Sequence, residues 1–316
     1  MSSFPQLVSP ADGLPLEREG DSLVSADGAR YPVRDSIPRF VEELDYVASF
    51  GDQWKRYRRV QLDSATGKGL SRDRLFRGTG WTPEALDGEL VLEVGCGAGR
   101  FTEVLLSTSA QVVAVDASSA VEACRETCGD QPRLALVQAD LFALPFRPGS
   151  FDRVFCYGVL QHTPDPERAF QALVEQVRPG GLIAADVYRH EQFIDRWSAK
   201  RLWRPLTTRM KRDRLRRMIE WYIPRWLPID NRLKSVPHLG RFLVAVVPCW
   251  NPRGLFELTW DEEVAWTILD TFDALAPRYD QPQSLASVQG WCNRAGLVDV
   301  SVRYGGNGIE VNARRQ

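Results

Sequence analysis

The chain has 316 residues, a formal net charge of −1 and an ordinary composition, 44% hydrophobic and 26% charged. That length allows one large domain or two modest ones with ample core, and the near-zero charge gives no global field toward nucleic acid or membrane. The six cysteines (96, 124, 128, 156, 249 and 292) show no CxxC pair, and the three histidines are far apart, which argues against a disulfide framework or a metal centre.

The first residues, Met1–Gln6, have neither the basic start nor the apolar core of a signal peptide. The longest apolar stretch, Phe242–Trp250, contains a proline and is too short to span a bilayer. A cytoplasmic location is expected. Residues 7–41 alternate short β-like runs with Asp-Gly turns, which suits hairpins. The closing Tyr31-Pro-Val-Arg-Asp-Ser-Ile-Pro38 resembles a small zinc-ribbon-like module that precedes some methyltransferases. In zinc-binding members cysteines hold the turns, whereas here Ser9 and Ser25 stand near two of those places and no cysteine precedes Cys96. Serine cannot supply a thiolate site, so residues 1–44 are expected to be a metal-free relic.

A helix-and-linker region is expected over 45–88. Tyr46, Val47, Phe50, Trp54 and Tyr57 recur at helical spacing. With Gln53 and Gln61-Leu-Asp63 they resemble the pre-strand helix of a methyltransferase branch rich in small-molecule enzymes, where that helix lies over the cofactor cleft. The resemblance makes Gln53, Trp54 and Tyr57 substrate candidates; the other reading is an aromatic core stripe. Residues 64–89 read as a connecting loop with at most one short helix.

Leu90–Val94 is an apolar run, then Gly95-Cys-Gly-Ala-Gly99 makes a turn, and Phe101, Val104 and Leu105 follow at helical spacing. Strand, glycine turn and helix start make a nucleotide-type site at the carboxyl edge of a parallel sheet. A dinucleotide turn has G-x-G-x-x-G spacing and holds pyrophosphate. Here the spacing is G-x-G-x-G, and Glu93 before it would repel a pyrophosphate but favour a cationic amino group. Gln111–Asp116 is a second strand ending in an acid. Asp116 suits ribose hydroxyls or, alternatively, a helix N-cap. Leu134–Asp140 and Phe151–Tyr157 are further strands. Asp165-Pro166 starts a helix, and Leu182–Tyr188 is a fifth strand.

Glu93-x-Gly-x-Gly-x-Gly99, Asp116, Gln138-Ala-Asp-Leu-Phe-Ala-Leu-Pro-Phe146 and the fourth-strand segment appear in this order, and residues 90–188 resemble class I S-adenosylmethionine (SAM)-dependent methyltransferases, near the ubiquinone- and menaquinone-methylating branch. The resemblance implies an α/β, Rossmann-like, doubly wound seven-stranded sheet over 89–316, with SAM as cofactor. It implies cofactor contacts from Glu93, Gly95, Cys96, Gly97, Gly99, Asp116, Ala117, Asp140, Leu141 and Tyr157, with Asp140 accepting from the adenine amine and the Leu141 amide meeting a ring nitrogen. His162, after the fourth strand, is the candidate general base; its other reading is a hydrogen bond that fixes the 161–166 loop. The loop lacks the Asn/Asp-Pro-Pro-Tyr motif with which amino-group nucleic-acid methyltransferases stack a flipped base.

Residues 189–260 form an insertion. Its segment 196–217 holds ten basic residues and one acid, Asp213, with apolar residues interleaved. A solvated helical lid, a surface for anionic carriers or membrane lipid (196–250), and an RNA contact are the open readings. Thr259 caps a further helix, and Asp270–Asp280 resembles a recurrent stretch of the same branch, making Asp273 and Tyr279 substrate candidates. Ser284–Ala295 is a short helix; Val298–Val302 and Gly308–Ala313 read as the closing antiparallel hairpin. The expected function is methyl transfer to a small-molecule or carrier-linked acceptor. RNA methylation through 196–217 and a non-catalytic SAM-binding regulator are the alternatives.

Overall fold

The computed structural model describes residues 4–41, 51, 54, 56–190, 199–236, 240 and 244–316. Tyr46, Val47 and Phe50 of the helically spaced stripe, the substrate candidate Gln53, and Arg196 and Trp197 of the basic segment lie outside the described residues. The chain divides into two compact units: Met1–Arg58, Leu62–His190 and Tyr279–Gln316 form one, and Arg59–Gln61 with Glu191–Arg278 the other.

The first unit is built on a seven-stranded sheet. Its strands are β5 (Leu90–Val94), β6 (Gln111–Asp116), β7 (Leu134–Gln138), β8 (Phe151–Cys156), β9 (Val177–Val187), β10 (Leu297–Gly305) and β11 (Gly308–Arg315), in the spatial order β10-β11-β9-β8-β5-β6-β7. β5 to β9 are mutually parallel, and β11 runs antiparallel to β9 and β10. This is the doubly wound sheet with a terminal hairpin. Central strands read as apolar runs because both faces are covered: Leu92, Val113, Val154 and Ile183 belong to one buried cluster, Val91, Val112, Phe155 and Ala184 to the other. The order reverses at β5, which pairs β6 on one side and β8 on the other, so a crevice opens at the carboxyl ends there. Between β8 and β9 the register jumps from Phe151↔Val177 to Arg153↔Leu182. The Arg178–Gly181 turn therefore lies inside β9, where the sequence placed only the end of a helix.

The amino-terminal sheet is four short antiparallel strands, β1 (Leu16–Glu19), β2 (Ser22–Ser25), β3 (Arg30–Arg34) and β4 (Ile37–Pro38). Asp35 and Ser36 both take positive φ (51° and 63°) between β3 and β4, as a tight hairpin turn requires. An isolated bridge ties the chain after β4 to β7: Phe40 N–H donates to the Gln138 carbonyl at 2.8 Å, and the buried Arg39 reaches Gln138 Oε1 at 2.8 Å and Glu122 at 3.2 Å. Ser9 and Ser25 are both buried. Ser9 Oγ bonds the Tyr31 hydroxyl at 3.2 Å, and Ser25 Oγ accepts the Ala29 amide at 3.1 Å and bonds Asp27.

Residues 64–89 are more ordered than their composition suggests. Helices Asp63–Thr66 and Leu70–Thr79 and a 3-10 turn, Glu84–Leu86, occupy them. Burial of Leu75, Trp81 and Leu86 supplies the apolar anchor. The start of Leu70–Thr79 is capped from a distance, since Asp63 accepts the Ser71 and Arg72 amides at 2.9 and 2.8 Å.

The second unit is helical: Ala199–Thr207, Arg212–Lys234 and Trp260–Leu275. Leu215, Ile219, Ile223 and Leu227 form its buried stripe at i, i+4 spacing. The sequence ended the insertion at 260, at the Thr259–Glu262 capping box. The helix that begins there belongs to this unit, and its carboxyl end is tied to the Ala199–Thr207 helix. Thr207 Oγ1 donates to the Leu275 carbonyl at 3.0 Å, and Arg204 donates to the carbonyls of Ala274 and Pro277 at 3.0 and 2.8 Å.

Candidate active site

The glycine turn after β5 is wound tightly on itself. Gly95, Gly97 and Gly99 all take positive φ (83°, 52° and 85°). The amides of Gly95 and Cys96 both donate to the Val115 carbonyl, at 2.7 and 3.0 Å, and the Gly99 amide donates to the Cys96 carbonyl at 2.9 Å. The Gly97 amide donates to Asp116 Oδ2 at 2.9 Å. Four turn amides are thus spent inside the protein, so the turn is not the nest of free N–H groups that cradles a pyrophosphate. What it presents to the crevice is carboxylate.

Asp116 ends β6 and stays partly accessible. Its Oδ1 accepts the Ser118 amide at 2.8 Å and hydroxyl at 2.7 Å, and its Oδ2 takes the Gly97 amide. Burial raises its carboxyl above the ordinary value, against the lowering pull of those donors. Asp140 lies two residues beyond Gln138, the β7 partner of Asp116, so both acids stand on one sheet edge. Asp140 caps the 3-10 turn Leu141–Ala143 by accepting the Phe142 amide at 3.1 Å; Leu141 is buried. The carbonyl of Ala117 accepts from Gln138 Nε2 at 3.2 Å.

Glu93 is buried beneath the turn and accepts the Thr102 hydroxyl at 2.7 Å. Desolvation pushes its carboxyl well above the usual range. Behind the turn sit thiols: a side chain on Gly99 would lie 3.1 Å from Cys124 Sγ and 3.2 Å from Cys128 Sγ, and Cys96 is buried. The Cys96 side chain is buried and its amide is engaged by Val115. Trp54 covers the turn from the other direction, its indole 3.2 Å from where a Gly97 side chain would begin. Tyr57 is half-buried.

Gly95 meets the loop after β8: a side chain there would fall on the Val159 Cγ2 methyl. Gly95→Ala is expected to lower stability by about 2 kcal/mol or more, from the left-handed backbone (about 1–2 kcal/mol) plus the collision with a stiff valine. Gly80→Ala, in the left-handed region at φ 68° and ψ 9° with open space around it, should lose only the backbone share in the same thermal-unfolding comparison. Equal losses would show that the Val159 contact is soft.

His162 is buried, and its Nδ1 lies 3.1 Å from the Tyr279 carbonyl. A carbonyl only accepts, so Nδ1 carries the proton and Nε2 the basic lone pair. Gln281 pins the same loop, its amide donating to the Gln161 carbonyl at 2.9 Å and its side chain to the Thr163 and Pro164 carbonyls at 2.8 Å each. His162 and Tyr279 are thus brought together. Asp273 belongs to the helical unit, on Trp260–Leu275.

Tyr157 is buried at the end of β8. Its ring points into the core, 4.5 Å from Phe155 and 6.0 Å from Phe101 by ring centroids, under the Leu70–Thr79 helix, where a Gly78 side chain would meet its hydroxyl at 2.5 Å. The period-two alternation of β8 gives the reason: Phe155 and Tyr157 share a face. Three groups escaped the sequence reading. Asp186 on β9 is buried, pairs with Arg74 at 2.8 Å and accepts the Gly158 amide; an acid in an apolar strand was its signal. Arg74 carried none. Gln161 is fully buried with neither end of its amide hydrogen-bonded.

Residues 92–185 match the family model of a methyltransferase domain. A ubiquinone biosynthesis O-methyltransferase of Methylocella silvestris is 31% identical over 184 residues, covering 57% of this chain and 64% of that protein. One from Methylococcus capsulatus is 35% identical over 104 residues, covering 31% and 43%. An uncharacterised protein of a Synechococcus strain is 37% identical over 117 residues, covering 35% and 28%. The chain spans less than two thirds of the length of each of these relatives. A solved SAM-dependent methyltransferase of Methanococcus maripaludis is 12% identical with a TM-score of 0.48, over 87% of this chain and 96% of that one. Over residues 92–185 this chain is similar to methyltransferase domains.

Proposed function

We propose that this protein transfers the methyl group of SAM to the hydroxyl of a small-molecule or carrier-linked metabolite. The observation that carries the reading is the glycine turn with its amides spent and two acids, Asp116 and Asp140, on the adjoining strand ends. That edge suits a ligand rich in hydroxyl and amino donors and repels phosphate. Asp116 takes the ribose hydroxyls, and Asp140 with the Leu141 amide takes the adenine. Glu93, buried without a basic partner among the described residues, gains from a cationic group nearby, which supplies the missing counter-charge. Bound SAM supplies an electrophilic methyl on a sulfonium, a good leaving group. The protein's share is positioning and exclusion of water, and His162 Nε2 takes the proton of an acceptor hydroxyl. Trp54, Tyr57 and Tyr279 are the acceptor-side candidates of the first unit and Asp273 is the separate candidate of the helical unit, with Gln53 outside the described residues.

The relatives that are named O-methyltransferases support oxygen as the acceptor atom in this reading. Incubation with labelled SAM and a metabolite extract, with and without ribonuclease, tests the reading. Label is expected in small metabolites and unaffected by ribonuclease; label confined to RNA, or none beside intact SAM binding, overturns it. The amino-terminal sheet is read as the metal-free relic of a zinc-ribbon-like module. Elemental analysis of protein prepared without chelator is expected to find well under one zinc per chain, and a full equivalent defeats that reading.

A further inference from the structure

The exposed residues of the two basic helices, Ala199–Thr207 and Arg212–Lys234, combine two properties that a merely solvated surface does not need. Between residues 199 and 217 the chain has nine basic residues and one acid. Arg201, Arg209, Lys211, Arg214 and Arg217 are exposed and form no ion pair with a described carboxylate. Interleaved with them are large apolar side chains turned to solvent. Leu202 and Leu206, one turn apart on Ala199–Thr207, are 47% and 58% exposed, and Trp221 on Arg212–Lys234 is 63% exposed. Trp203 is anchored by its indole N–H to the Val246 carbonyl at 2.8 Å, which puts the exposed Val246 beside it.

The pattern on the longer helix is regular. Arg214, Arg217, Trp221, Arg225, Pro228 and Arg232 are all exposed and follow at spacings of three and four, a single outward stripe. Arg225 lies over the Trp221 ring at 4.9 Å. The opposite stripe, Leu215 to Leu227, is buried. The apolar groups on the outside are therefore not a misplaced core. No described helix is long and apolar enough to cross a membrane.

We propose that this face docks on an anionic lipid surface, lying in the headgroup layer with its leucines and tryptophans inserted and its arginines on lipid phosphates. Charge complementarity selects the partner: five exposed cations without carboxylates attract an anionic plane, and neither a short apolar stripe nor a polybasic stripe alone holds firmly, whereas the two together do. Tryptophan sits well at that boundary. An RNA backbone would use the arginines but leave Leu202 and Leu206 with nothing to bury. The inference does not depend on which acceptor is methylated.

The test is co-sedimentation of the full chain with vesicles of pure phosphatidylcholine and with vesicles containing about a third phosphatidylglycerol. Binding to the anionic vesicles is expected to be at least about tenfold stronger and to weaken as salt rises. The variant Leu202→Ser/Leu206→Ser/Trp221→Ser and the variant Arg214→Gln/Arg217→Gln/Arg225→Gln should each lose about tenfold or more. All six side chains are exposed or on the outer stripe, so an unchanged thermal transition is expected to accompany the loss. Equal binding to both vesicle types, or none, overturns the proposal. So does RNA retention that the serine variant keeps and the glutamine variant loses, or a dimer that the serine variant dissociates while vesicle binding is absent.

Discussion

Asp116→Ala is expected to weaken SAM binding by about 100-fold, since hydrogen bonds to a charged group contribute about 1.5–3 kcal/mol and each 1.4 kcal/mol is a factor of ten. The carboxylate serves the proposed ribose contact and also holds the Gly97 amide, so its removal loosens the turn that faces the ligand. The fold should survive with a loss of about 1 kcal/mol, because Asp116 is partly accessible and water replaces it at Gly97. Calorimetry reads the affinity; an unchanged value means that Asp116 does not touch the cofactor. The pH dependence is a second handle. Burial raises this carboxyl above 3.8, and hydroxyl donors prefer the ionised form. Affinity should therefore fall as pH drops through the raised value, and Asp116→Asn should remove that share of the slope and leave the share that belongs to Glu93. Folding stability runs the opposite way: the share contributed by Asp116 is complete below the ordinary carboxylate value and is lost as pH rises through the raised one.

The parts of the site that were legible in the sequence are those set by local chain geometry. An apolar run into spaced glycines fixes a strand and a turn, and an acid at a strand end stands on the sheet edge because strands in a parallel sheet end together. Glu93, Asp116 and Asp140 fell where the spacing put them for that reason. What the sequence did not disclose depends on residues far apart in the chain. The helix Leu70–Thr79 has a weak apolar pattern and is held by Asp63 at its start and by hairpin side chains at its end, where Arg303 and Asn312 donate to the Gly78 carbonyl at 3.2 and 2.8 Å. Tyr157 is a different case: its alternation with Phe155 was readable, while the packing of its ring under the Leu70–Thr79 helix depends on residues far away in the chain. The exposed leucines of the helical unit were equally hidden, since amphipathic spacing tells which residues share a face and not which face is covered.

Arg74→Leu is expected to cost the fold about 3 kcal/mol, the lower end of the range for removing one partner of a buried ion pair. Arg74 Nη2 lies 2.8 Å from Asp186 Oδ2, and the Asp186 side chain is 1% exposed while that of Arg74 is 24% exposed, so solvent softens the loss. Asp186 also accepts the Gly158 amide from the loop after β8, and the guanidinium lies over the Phe101 and Tyr157 rings at 5.6 and 5.7 Å. The pair therefore joins the Leu70–Thr79 helix to β9 and, through the Gly158 amide, to the loop after β8. Burial already raises the Asp186 carboxyl, and Arg74 opposes the rise. Without Arg74 the value climbs further. The folded variant then binds more protons than its unfolded chain over a wider pH range, and its stability falls as pH rises through that range. The destabilisation should be largest at alkaline pH and shrink toward the ordinary carboxylate value of 3.8. Adding Asp186→Asn removes the stranded charge but keeps an acceptor for Gly158, so the double variant should recover most of the loss. Urea unfolding of the single and double variants across pH decides it: a loss independent of pH, or a double variant no better than the single, would mean that Arg74 acts through packing on the two rings rather than through Asp186.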